Sequence, residues 1–465
     1  MRVRVPEVVF IVACFLPVAV TSAAPAYDIE KAVALAQTQN PEIAIARKKV
    51  QAARGGMTAA RSGYLPSVVS TGLLRERERQ SDSGLRNEDY NASVRVIQNL
   101  YTGGAVSSQI SIARLNLEKQ ELELQAISNR VTMDVRIAFN EILLNRAKIR
   151  VREQSVNVFQ EELKTQRERF NAGLVGQLNV GRAEVALANE QPELIEAQTQ
   201  LENSYLRLSE LLGLDLHSKP AKSQFEIAGQ LQYNPRSPNL NESLARAEAQ
   251  RPEIKARQKE IEIEDHQATL DRSALRPHLD VFSGYEVYNE RDRDVESNLN
   301  HGYVVGLNAR WHIFDGFATK GRLQATRARR EAAAEALAAT RLSVASEVRN
   351  ALLDLEQAAR VLESETKNVQ TADESLEIAK ANLNAGLGTQ LDILQAAADV
   401  TRTRTTRLSA IYLHNVALAR LARACAVPID VAGSELTLKS EAKEKKRSRQ
   451  ALLNVAQPPK KLSQP

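Results

Sequence analysis

The chain has 465 residues, of which 4% are aromatic and 20 are glycine, a composition of long helix rather than of compact sheet. Its formal charge of +5 does not describe a nucleic-acid-binding body. Residues 439–465 carry eight Lys or Arg against two Glu, a surplus of six, and residues 1–24 a surplus of one, which leaves −2 for everything between.

The first 24 residues read as a signal peptide: Arg2 and Arg4 precede an apolar run over 8–20, and Ser22, Ala23, Ala24 and Ala26 offer small residues for cleavage. Cys14 has too few apolar residues before it for a lipoprotein site and is read as an ordinary signal residue. Cleavage leaves Cys425 alone, so no disulfide forms within the mature chain and packing must supply its stability. No later stretch of ~20 apolar residues exists, so any membrane crossing must use strands.

The spacing then predicts a helix over 28–61, with Asp28 able to accept from the free N–H groups of its first turn. Strands are expected at 65–75 and 90–101; in the second, Tyr90, Ala92, Val94 and Val96 alternate with Asn91, Ser93 and Arg95. Residues 105–172 contain neither Gly nor Pro, and such a run of 68 would make a rod of about 100 Å, the body of a helix expected over 103–171. Apolar residues within it, such as Leu124, Ile127 and Val131, recur three and four apart, as in helices packed side by side. Another helix is expected over 177–212. Residues 215–240, with three prolines, are read as a link.

The same order returns in the second half: a helix over 241–273 with Asn241 at its start, strands at 277–289 and 302–314, a long helix over 318–384 and a last helix over 389–425. Residues 428–465 form a basic tail, expected to be disordered and, on the family resemblance given below, periplasmic. Five landmarks hold register. Asn40-Pro41-Glu42-Ile43 returns as Arg251-Pro252-Glu253-Ile254, and Tyr64-Leu65-Pro66 as Leu275-Arg276-Pro277, both 211 residues on. Tyr101-Thr102-Gly103, Val135-Arg136 and Asn171-Ala172-Gly173-Leu174 return 213 residues on as Phe314-Asp315-Gly316, Val348-Arg349 and Asn384-Ala385-Gly386-Leu387. The mature chain is a duplication of one plan, 25–214 and 241–427.

The strands look made for lipid. Tyr303, Val305, Leu307, Ala309, Trp311 and Ile313 alternate with Gly306, Asn308, Arg310 and His312, and each strand has the ten or so residues that a tilted crossing needs. The hairpin tips, 76–89 and 290–300, are dense in charged and amide residues. Four strands cannot close a barrel, and an open edge in lipid is costly, so other copies must complete the sheet; three copies give twelve strands.

At these residues the chain resembles the TolC-like outer-membrane efflux protein family. The marks are Asn40-Pro41-Glu42 with Arg251-Pro252-Glu253, the corners Leu100-Tyr101-Thr102-Gly103-Gly104 and Ile313-Phe314-Asp315-Gly316, the two Asn-Ala-Gly-Leu turns, and Gln177-Leu178-Asn179-Val180 with Gln390-Leu391-Asp392-Ile393. The resemblance implies an α+β membrane protein, an internally duplicated protomer giving a trimeric 12-stranded outer-membrane β-barrel continuous with a long periplasmic α-helical barrel. It implies the exit duct of a tripartite efflux or type I secretion system, a homotrimer partnered by a periplasmic adaptor (membrane fusion protein) and an inner-membrane pump.

It further implies that Gly173, Leu174, Gly386 and Leu387 form adaptor-docking tips of helical hairpins. Asp392 matches a position where related channels carry a pore-narrowing aspartate, so Asp392, Gln395 and Asn179 are the expected periplasmic gate. An aspartate there also suits a helix cap, and both readings stand. Tyr303 and Trp311 are expected at the membrane boundary. No enzyme, cofactor or nucleic-acid partner is expected: His217, His266, His278, His301, His312 and His414 are scattered without metal-ligand spacing, and no phosphate loop or nucleophile elbow occurs. The competing reading is a secreted periplasmic coiled-coil scaffold with a small soluble β-domain.

Overall fold

A computed structural model describes residues 26–76, 88–217, 220–289 and 299–426. The expected signal peptide, most of both charged tips and the basic tail lie outside the described residues. A two-residue strand, β1 (Ala26–Tyr27), leads into α1 (Ile29–Gln39), where the Asp28 carboxylate accepts from the Lys31 N–H at 2.7 Å.

The helix expected over 28–61 is not continuous. Pro41 disfavours helical backbone at the residue before it, so Asn40 takes φ −59°, ψ 128°, ends α1 and opens α2 (Pro41–Arg61). The Asn40 side chain serves both ends of the break. Its oxygen accepts from the N–H groups of Glu42 and Ile43, and its amide donates to the Leu211 carbonyl at 2.8 Å.

A short 3-10 turn precedes β2 (Ser67–Glu76) and β3 (Glu88–Tyr101), and then come α3 (Ala105–Asn171) and α4 (Gln177–Leu212). The Gly- and Pro-free run is thus one helix of 67 residues. The segment read as a plain link has structure of its own: α5 (Ala221–Gln224) and β4 (Glu226–Ile227), which pairs parallel with β1. Phe225 and Ile227 are buried there, and each side chain of that size taken out of water contributes about 1.5–3 kcal/mol.

The second half runs α6 (Leu240–Gln250), α7 (Pro252–Ser273), β5 (His278–Tyr288), β6 (Asn300–Arg310), α8 (Ala318–Asn384) and α9 (Gln390–Cys425). The helix expected over 241–273 also breaks before its proline, at Arg251. Its cap is Asn239 and not Asn241, because the helix begins one residue earlier than expected and Asn241 already lies in its first turn. Arg251 replaces the capping Asn40 with a buried ion pair, its guanidinium donating to Glu253 and Glu347 at 2.8–3.2 Å.

All three neighbouring pairs in the main sheet are antiparallel, in the order β2-β3-β5-β6. Ser67 lies opposite Ile97, and His278 lies opposite Arg310. Adding 211 to the first number and 213 to the second converts one pair into the other, so the duplication holds residue by residue through the sheet. The strand expected over 302–314 stops at Arg310. Residues 311–314 run past the start of β5 and have no strand beside them in the chain.

Below the sheet α3 packs against α2, α4, α7 and α9, and α8 against α7 and α9. One core gathers Val33, Ile43, Val135, Phe139, Ile142, Leu208 and Leu212. A second joins Ile254, Val344, Val348 and Leu421, and a third joins Phe159 of α3 to Leu376 of α8 and Ile393 of α9. The two repeats are therefore packed into each other and not strung as beads.

Candidate functional site

The register of the sheet sorts its side chains onto two faces. Val68, Leu74, Ala92, Val94, Val96, Val281, Tyr285, Val287, Tyr303, Val305 and Leu307 fall on one face by pairing and alternation. That apolar face is exposed: Tyr303 is 90% exposed, Leu74 79% and Val305 74%. A soluble sheet would cover such a face.

The other face, which also carries Val69 and Leu73, holds the charged and amide groups of the sheet, and these bond to one another. Arg95 donates to Glu286 at 2.7 Å and stacks over the Phe282 ring, Thr71 and Ser93 share a hydrogen bond at 2.8 Å, Arg75 pairs with Asp89, and Asn308 donates to Asp280. Ser93 on this face is only 4% exposed. Phe282 lies across Gly306, where any Cβ would meet the ring at 2.5 Å. The sheet thus has one greasy side and one side that carries its charged and amide groups, the two-sided pattern that a strand between lipid and water needs.

Of the two expected boundary aromatics, Tyr303 stands on the apolar face with its ring edge-on to Tyr285, centroids 5.2 Å apart. Trp311 lies beyond the end of β6, 61% exposed, its indole N–H donating to the Leu275 carbonyl at 3.0 Å. Eight positions separate them, about 26 Å of extended chain.

At the far end of the long helices the four tip residues occupy two matching turns. Gly173 (φ +72°) and Gly386 (φ +75°) close α3 and α8 in the left-handed conformation that glycine adopts without a Cβ penalty. The Leu174 N–H donates to the Arg169 carbonyl and the Leu387 N–H to the Asn382 carbonyl, which satisfies the last turn of each helix. Both leucines project into solvent, Leu387 at 83% exposure.

The expected gate residues do not all converge. Asp392 and Gln395 line one groove between α8 and α9, together with Asp399 and Arg402, a volume of about 680 Å³. Asn179 stands apart on α4, and its main-chain carbonyl accepts from the Gln390 side-chain amide at 2.9 Å. Asp392 forms a reciprocal cap with Thr389: the carboxylate accepts from the Thr389 N–H at 2.7 Å and from its hydroxyl at 2.8 Å. Those two bonds hold the Asp392 carboxyl below the usual carboxylate range. In the first repeat Gly176 stands at the matching cap, with no side-chain bond to offer.

Thr389 was not singled out from the sequence, although Thr389-x-x-Asp392 is a capping pattern visible in it. Gln390 is legible only as part of the phrase it shares with Gln177; that Gln177 is exposed while Gln390 is buried against the other hairpin has no signal in the sequence. Among the described residues no helix is long and apolar enough to cross a membrane, and no three His, Cys, Asp or Glu converge as metal ligands would.

A family model described as outer membrane efflux protein matches residues 32–214 and 244–427. The chain is 25% identical over 398 residues to protein CyaE of Bordetella pertussis, covering 85% of this chain and 83% of the relative. It is 24% identical over 401 residues to the cobalt-zinc-cadmium resistance protein CzcC of Cupriavidus metallidurans, covering 85% and 89%. Its fold is similar to that of the CmeC outer membrane channel of Campylobacter jejuni, with a TM-score of 0.75, 15% identity and coverage of 96% of this chain and 98% of the other.

Proposed function

The chain belongs to the outer membrane efflux protein family, and on that footing we propose that three copies form an exit duct, a twelve-stranded barrel continuous with a periplasmic helical barrel. The observation that carries this reading is the sheet with two open edges, β2 and β6, whose apolar face is exposed and whose polar face is bonded. In lipid the open edges leave N–H and C=O groups unsatisfied at several kcal/mol each, and pairing with further copies removes both edges. Twelve strands leave an open lumen, whereas the eight of a dimer would be filled by side chains.

The lumen is then lined by Arg95, Glu286, Asp280 and Asn308, and Tyr303 and Trp311 stand near opposite limits of the lipid-facing band. The duct serves a tripartite efflux or type I secretion system, receiving cargo from an inner-membrane pump through a periplasmic adaptor. The exposed Leu174 and Leu387, held on glycine turns at the hairpin ends, dock that adaptor. Asp392, with Gln395 below it and Asn179 on the adjoining hairpin, forms the periplasmic gate, where three carboxylates around one axis favour cations and disfavour anions. The cap and the gate are compatible roles, since a capping carboxylate keeps its charge.

Single-channel conductance of detergent-purified protein in planar bilayers tests this. Small, cation-selective channels that widen in Asp392→Ala support duct and gate together. Channels indifferent to the substitution keep the duct and remove the gate, and the absence of channels removes both.

A further inference from the structure

The duplication makes the contact between the two repeats of one chain a template for the contact between copies. Inside the chain, the second strand of the first repeat, β3, pairs with the first strand of the second repeat, β5. In a closed ring the only remaining pairing of that kind is β6 with β2 of a second copy. This inference rests on the trimer reading and goes beyond it to the residues of the seam.

Carrying the register across is arithmetic. Asn91 to Asn99 of β3 lie opposite Tyr288 to Asp280 of β5. Moving the first set on by 213 and the second back by 211 sets Leu307 opposite Leu74 and Trp311 opposite Ser70 of the next copy. Tyr101 pairs with Leu279 just inside the chain, so its image Phe314 pairs with Val68. Residues 311–314, which outrun β5, thereby acquire a neighbouring strand.

The corner below the strands shows what else must fit. Inside the chain the Arg276 guanidinium donates to the Gly103 carbonyl at 2.9 Å, and its side chain lies so close that a Cβ on Gly103 would meet it at 2.7 Å. The image of Arg276 is Leu65, and the images of Tyr101, Gly103 and Gly104 are Phe314, Gly316 and Phe317. Gly316 has open space where Gly103 is covered. Phe317 keeps the left-handed backbone of Gly104, φ +69° against +94°, although a bulky residue is strained there. Its ring is 68% exposed, edge-on to Phe314, and Leu65 is 63% exposed.

We propose that Phe314 and Phe317 of one copy close on Tyr64 and Leu65 of the next, forming an apolar lock where sheet meets helices. It is the counterpart, between copies, of the polar Arg276–Gly103 lock within each copy. Two features of the helices below agree with it. Lys259 pairs with Glu118 at 3.1 Å across the α3–α7 contact, and the images of these residues are Lys48 and Glu331, of the same signs and both exposed. Ala256 is buried in its repeat, whereas its image Ile45 is 58% exposed on the face that a second copy would cover.

The test is a pair of cysteines, Leu74→Cys with Leu307→Cys, in full-length protein extracted from the outer membrane, with Gly72→Cys and Leu307→Cys as a pair shifted by one step along the same face. Mild oxidation is expected to give covalent trimers from the first pair and several-fold less from the shifted one, while light scattering reports three copies in both. Three copies with no cross-link, or with more from the shifted pair, overturn the seam and leave the trimer standing. A particle that is not trimeric overturns both. Phe317→Gly, which relieves the strained backbone, checks the lock separately. A lower temperature for dissociation of the trimer in SDS supports it, and an unchanged temperature with weaker retention in membranes would assign Phe317 to lipid instead.

Discussion

Gln390 donates its side-chain amide to the main-chain carbonyl of Asn179 at 2.9 Å, joining the start of α9 to the start of α4 at the tips of the two helical hairpins. Gln390 is buried, and its own oxygen has no partner among the described residues. The bond is a single polar tie, worth about 0.5–1.5 kcal/mol, set where the hairpins must part if the duct is to widen. Gln390→Leu, close in size but unable to donate, is expected to raise resting conductance several-fold with little change in thermal stability. Unchanged conductance would show that the tie does not hold the closed state.

Thr389→Val separates the cap at Asp392 from its charge. The variant keeps the carboxylate while removing the hydroxyl, so cation selectivity should persist while the tip loosens. The pH dependence has a definite sign. A carboxyl lowered by hydrogen bonds in the fold stabilises the tip above the ordinary value of about 3.9, and that contribution fades as pH falls through the lowered one. Selectivity is therefore expected to be flat from pH 8 to pH 5. A midpoint above the ordinary value would mean that repulsion among three carboxylates outweighs the capping bonds.

The faces of β6 differ in what they tolerate. Val305 lies in the middle of the strand on the exposed apolar face, and Asn308 lies on the polar one. Val305→Arg is expected to destabilise the barrel by about 2–4 kcal/mol in bilayers, whereas Asn308→Arg should fold normally and alter only conductance or selectivity. Unfolding from vesicles in urea measures both, and equal tolerance would contradict the assignment of lipid and lumen.

Two ion pairs cross from α3 to α7. Lys119 pairs with Glu260 at 2.7 Å and Lys259 with Glu118 at 3.1 Å. The Lys259 ammonium lowers the Glu118 carboxyl, and the bonds that Lys259 donates to Glu262 and Glu118 raise Lys259; at Glu260 burial pushes upward, but bonds from Lys119 and Arg257 prevail and the carboxyl is lowered. The glutamate contributions are present above about 4.3 and lost as pH falls through the lowered values. The Lys259 contribution is present below about 10.4 and lost as pH rises through the raised one. A double-mutant cycle on Lys119 and Glu260 should return a coupling of about 0.2–1 kcal/mol, reduced in 1 M salt. Coupling that ignores salt would point to packing instead.

Much of the fold was legible because its signals are local and repeated. The absence of Gly and Pro over 105–172 marks α3, and alternation from Tyr303 onward marks β6. Pro41 and Pro252 also carried a message that the periodicity obscured: each ends a helix at the residue before it, so one expected helix becomes two. What a single sequence hides is long-range. Gln177 and Gln390 look alike in their repeats, and only the packing of one hairpin on the other buries the second. Trp311 looked like strand because it keeps the alternation, but pairing needs a neighbour and β5 begins only opposite Arg310. Asp392 was legible as an aspartate near a helix start, and its partner Thr389 stands at the spacing of a capping box, a local signal that the sequence also holds.

The trimeric duct requires that this chain reach its working form only as three copies around a pore. The most direct measurement is the mass of the particle extracted by detergent from the outer membrane, corrected for bound detergent by sedimentation and light scattering. Three chains per particle are expected, with no stable monomer in the membrane fraction. A monomer that keeps its helices and remains in water without detergent would contradict the duct.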